Sequence, residues 1–114
     1  MGRWVMTYNR ISDAVAALDT LLYVLDKSYW DANTAERKDY FYDLIAALTT
    51  ELREIAKLSV QDHHLLYEPI TEDWRLVRTK MAKLQKQTDE YVAHTSTSTQ
   101  LQHALADVLP LFSR

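Results

Sequence analysis

Four carboxylates on one stretch of the chain, Asp39, Asp43, Glu51 and Glu54, are the groups best placed to do chemistry. If the stretch is helical, Asp39 and Asp43 stand one turn apart on one face, and Glu51 and Glu54 share one side. Acidic pairs on adjacent helices of a bundle can hold magnesium and activate water against a nucleotide or phosphate ester. That chemistry needs a second acidic pair on a facing helix. The third helical stretch instead presents Arg75, Arg78, Lys80, Lys83 and Lys86. The spacing therefore points to ion pairs. Magnesium-dependent hydrolysis by Asp39, Asp43, Glu51 and Glu54 is the alternative reading, and no cofactor is expected.

The histidines lead to the same place. His63 and His64 sit beside Asp62, with Glu68 nearby; His94 follows Glu90 by four residues, and His103 lies beyond it. Neither group has a spacing that metal chemistry demands, such as His-Glu-X-X-His. No serine or threonine has a histidine at defined reach, so no activated nucleophile is indicated. Arg75, Lys83 and Lys86 form a basic stripe that nucleic acid would favour. The chain carries a net charge of −3, however, and acids on the second helix should neutralise part of that stripe, so nucleic acid is not the expected partner.

Three apolar ladders must position these groups. The first is Tyr8, Ile11, Val15, Leu18, Leu22, Leu25 and Tyr29; the second is Phe41, Ile45, Leu48, Leu52 and Ile55; the third is Ile70, Trp74, Val77, Met81, Leu84, Thr88 and Tyr91. Steps of three and four keep one stripe of each helix facing its neighbours. The only glycine is Gly2, which leaves no phosphate-cradling loop and no support for tight hairpins. The fold class is all-α: one domain over residues 1–114, an antiparallel up-and-down bundle of three long helices and a short C-terminal one. The helices are expected at about 6–30, 34–59, 70–94 and 98–109.

Asn33 followed by Glu36 reads as a capping box that starts the second helix near Thr34. Ser59 to Asp62 can seed a short extra turn. Pro69 disfavours helical geometry at Glu68 and makes a boundary, with Glu72 and Asp73 well placed in the next first turn. The run Thr95-Ser96-Thr97-Ser98-Thr99 reads as a polar linker that caps the last helix. End-to-end alignment of the second and third helices would pair Glu51 with Arg78, Glu54 with Arg75 and Asp43 with Lys86.

The surfaces that remain point to a protein partner. Leu21 and Val24 lie off the main stripe of the first helix and suggest self-association, with a homodimer the expected state. Tyr29, Trp30, Tyr40 and Tyr42 cluster around the first connection, as aromatic anchors of an interface or as the seal of the bundle's end. There is no cysteine and no run of about 20 apolar residues that would span a bilayer. The opening residues lack the apolar core of a secretory signal, so the cytoplasm is the expected setting. The expected function is non-catalytic: an adaptor, chaperone or regulator acting through protein–protein contacts.

Overall fold

The computed structural model describes residues 10–112. The start expected for the first helix near residue 6, its ladder member Tyr8, and Trp4 lie outside the described residues. The architecture is an all-α helical bundle. Helix α1 spans Ile11–Asp31 and α2 spans Ala35–Ala56. A 3-10 turn follows at Val60–His64. The region of the third ladder contains α3, Glu72–Leu76, α4, Arg78–Gln85, and α5, Thr88–Tyr91. Helix α6 spans Thr95–Val108 and runs into a 3-10 turn at Leu109–Phe112.

The third long helix is thus divided. At Val77 the amide bonds back three residues to Trp74 O, and at Lys86 and Gln87 the amides bond to Lys83 O and Leu84 O. These are tightened turns of the 3-10 type. They leave the middle of the apolar ladder in place: Trp74, Val77, Met81, Leu84 and Thr88 are all buried, while Ile70 at its start is exposed and Tyr91 at its end is half-buried. The expected pairing of α2 with this region fails with the break. Asp43 meets Lys80 at 4.0 Å, Glu54 pairs with Lys57 at 2.8 Å within its own helix, and Arg75 donates to Pro69 O at 2.7 Å.

Helix α2 starts where expected but with a different cap, and α6 starts earlier than expected. Thr34, rather than Asn33, accepts the Arg37 amide at 3.1 Å and begins α2. Asn33 instead donates its side-chain amide to Glu90 O at 2.9 Å. The Thr/Ser run is helical, not a linker. Helix α6 begins at Thr95, and Thr97 and Ser98 are buried, with the Thr88 and Ser98 hydroxyls 2.6 Å apart. Ser59 caps the 3-10 turn and Thr71 caps α3: Ser59 accepts from the Gln61 amide and Thr71 from the Trp74 amide.

Helix α1 packs most extensively against α6 and α2. Its buried face is Ile11, Ala14, Leu18, Leu21, Leu25 and Ser28, a ladder one residue away from the expected one at Leu22. Leu21 is fully buried and Val24 nearly so. The assignment of Leu21 and Val24 to an interaction surface is therefore corrected: α6 covers that side of α1 within the same chain. Leu21→Ala should cost about 2–5 kcal/mol, the range for a leucine removed from a packed core. Urea denaturation of the variant checks this; a loss well under 1 kcal/mol would place Leu21 at a surface after all.

Candidate functional site

The alternative catalytic set does not assemble. Glu51 lies on the buried face of α2, between Leu48 and Ile55, and its carboxylate is fully buried. Its Oε2 accepts from the Tyr67 hydroxyl at 2.5 Å and the Ile70 amide at 2.8 Å. Its Oε1 accepts from the Thr71 amide at 2.9 Å and the Thr71 hydroxyl at 3.0 Å. Those four donors occupy the acceptor capacity of a carboxylate. Burial, then the hydrogen bond to Glu51 and its negative charge, push the Tyr67 phenol well above the usual tyrosine range. Asp39 and Asp43 stand on the exposed side of α2, and Glu54 is held by Lys57. The four acids of the hydrolase reading therefore face different surroundings. Among the described residues no group of three or more histidines and carboxylates could hold a metal ion.

His64 and His94 hold connections at opposite ends of the bundle. The Arg10 guanidinium donates to His64 O at 2.5 Å, and the His64 ring Nδ1 lies against Gln61 O. His94 is engaged at the other end, with Asp31 at the last position of α1. The His94 amide donates to Asp31 Oδ2 at 2.9 Å, and its ring Nδ1 lies 2.5 Å from Asp31 Oδ1. Asp31 thus caps α6 from α1, supplying the carboxylate that favours a helix N-terminus. The backbone joins in: Ala93 N donates to Asp31 O, and Asn33 N donates to Tyr91 O. Arg37 reaches Asn33 Oδ1 at 3.0 Å and also Glu90 O. The α1–α2 and α5–α6 connections are clasped together.

The aromatic end divides in two. Tyr40, Phe41 and Tyr91 form the sealed part, with Tyr40 and Tyr91 centroids 5.1 Å apart. The Tyr40 hydroxyl donates to Lys80 O at 2.7 Å. Burial, and then Tyr91, push its phenol up to about 12. The open part is Trp30, 72% exposed, and Tyr42, 61% exposed. With Asp26, Tyr29 and Ile45 they line a shallow cleft of about 260 Å³ between α1 and α2. Trp30 stands edge-on to Tyr29 with centroids 5.1 Å apart. The Lys38 ammonium lies 4.6 Å from the Tyr29 centroid and 4.9 Å from that of Trp30. Of the candidate surface residues, Trp30 and Tyr42 are therefore exposed, Tyr29 and Tyr40 are half-buried, and Leu21 and Val24 are core. Sequence reasoning assigned Glu51 to ion pairs or metal, although Leu44, Leu48, Glu51 and Ile55 have the spacing of a buried stripe.

Arg75, Lys83 and Lys86 do not share one continuous helix, since α3 and α4 meet at Val77. Arg75 is engaged by Pro69 O and lies 3.9 Å from Glu72. No helix among the described residues is long and apolar enough to cross a membrane. Comparison with protein-family models, curated proteins and solved structures gives no match.

The Asp31–His94 clasp makes a pH-dependent prediction. Burial alone would raise the Asp31 carboxyl, but the His94 backbone and side-chain hydrogen bonds and its charge outweigh that and hold it below the usual carboxylate range. A carboxylate depressed by folding adds stability above its unfolded pKa and loses it as pH falls through the folded value. Asp31→Asn should cost about 1 kcal/mol near neutrality. The gap to the native chain should close as pH falls below the usual carboxylate range. Urea midpoints measured across that range check it; a gap constant with pH would contradict the clasp.

Proposed function

We propose that this chain is a non-catalytic binding module, an adaptor, chaperone or regulator that works by docking on protein. The observation that carries this reading is the open half of the aromatic end, where Trp30 and Tyr42 stand exposed on either side of a cleft. Tryptophan and tyrosine supply much of the energy of protein interfaces, because each presents a large apolar body with few rotatable bonds. Lys38 lies over both the Tyr29 and Trp30 rings. Such cation–π contacts restrain the rings before a partner arrives, which lowers the ordering cost of binding. On this reading the protein works in the cytoplasm.

The hydrolase reading has no comparable support, since Glu51 is occupied by four donors and cannot reach a metal with Asp39 or Asp43 without giving them up. Trp30→Ala and Tyr42→Ala test the proposal. Both residues are exposed, so the fold should persist, as thermal denaturation will show. Each truncation should weaken capture of cross-linked protein partners from the source cell about tenfold or more. Capture of the same partners at undiminished yield by both variants would overturn the reading.

A further inference from the structure

Helix α2 carries a second stripe on the side away from its buried face. It consists of Asp39, Tyr42, Ala46, Thr49 and Arg53, stepping by three and four; all are exposed except Thr49, which is half-buried. The ends of the stripe are symmetric about Ala46 in position and opposite in charge. Asp39 lies two helical turns before Ala46 and Arg53 two turns after it, about 10 Å to either side. Among the described residues neither the Asp39 nor the Arg53 side chain has a hydrogen bond or ion pair within its own chain. A cleft flanks the helix on each side. One is the cleft edged by Trp30 and Tyr42. The other, about 280 Å³, lies between α2 and α3 and is lined by Asp43, Ala46, Ala47, Thr50 and Leu76 among others. Leu76 is 67% exposed.

We propose that this face docks on the same face of a second copy of the chain, with the two α2 helices antiparallel and the two-fold axis at Ala46. The inference rests on the protein-binding reading and names the partner. In that register Asp39 of each copy faces Arg53 of the other, so the contact repeats twice, as an isologous interface requires. A parallel arrangement would oppose Asp39 to Asp39 and Arg53 to Arg53, so the charges select one orientation. Ala46 at the axis carries only a methyl group, which lets the helices approach closely. Tyr42 of one copy falls opposite Thr50 of the other, at the rim of the cleft that Leu76 borders. Trp30 and Leu76 flank the stripe on opposite sides and supply apolar area beyond the helix pair itself.

Sedimentation equilibrium of the full chain at micromolar concentrations tests the arrangement. The native chain should be a dimer. Asp39→Arg and Arg53→Asp should each weaken it at least about tenfold, because each places like charges opposite one another. Combining the two substitutions restores opposite charges across the axis and should restore the dimer. Circular dichroism verifies that each variant keeps its helices. A monomeric native chain, a dimer indifferent to the single substitutions, or a double variant as weak as the single ones would each overturn the inference. The protein-binding reading is judged separately, by the capture losses of Trp30→Ala and Tyr42→Ala.

Discussion

The buried carboxylate of Glu51 is the constraint on which the rest of the structure depends. A carboxylate removed from water is costly unless hydrogen bonds replace its hydration. Here no cation supplies them. Two backbone amides, one threonine hydroxyl and one tyrosine hydroxyl do, all from residues 67–71. The segment therefore has to lie across α2 at one place. Thr71 takes part twice, binding Glu51 through its amide and hydroxyl while its hydroxyl oxygen also accepts the Trp74 amide that opens α3. Trp74 is thereby directed into the core, where its ring lies 5.1 Å from that of Phe112 and closes the lower end of the bundle. One acid on α2 sets where α3 starts and what the C-terminal turn packs against.

The opposite end is held by a different device, with the same logic. Asp31 satisfies the amide that opens α6, and the backbone groups around it join the two connections. Between these anchors the core is apolar: Leu18, Leu21, Leu25, Phe41, Leu44, Leu48, Met81, Leu84, Leu101 and Leu105 are fully buried. Helices α6 and α2 both cover α1, and each helix keeps an exposed face toward solvent. Trp30 at the end of α1 and Tyr42 on α2 are the large aromatic side chains exposed beside their shared cleft.

Periodicity made the helical class legible, because an apolar step of three and four survives any detail of packing. It made α1, α2 and the boundary at Pro69 legible too. It failed at Val77 and at Lys86–Gln87, where no glycine or proline marks the change. A tightened turn there alters the backbone and leaves the buried ladder intact, so the side-chain pattern carries no trace of it. Leu21 was misplaced because two ladders, one through Leu21 and one through Leu22, fit the same apolar stretch, and only the position of α6 decides between them. The start of α6 was hidden because its cap comes from Asp31, 63 residues away in sequence. Glu51 was the costliest miss for the candidate site: its spacing from Leu44, Leu48 and Ile55 marked it as buried, but an acid at such a position reads as a surface charge until its donors are seen.

Amide hydrogen exchange at Ile70 and Thr71 tests the central claim most directly. If Glu51 anchors the 67–71 segment, both amides exchange as slowly as the core amides of α2 in the native chain, and Glu51→Gln, which sets an NH2 group against donors, releases them while the core of α1 stays protected. Fast exchange of Ile70 and Thr71 in the native chain, or protection unchanged in Glu51→Gln, would contradict the account.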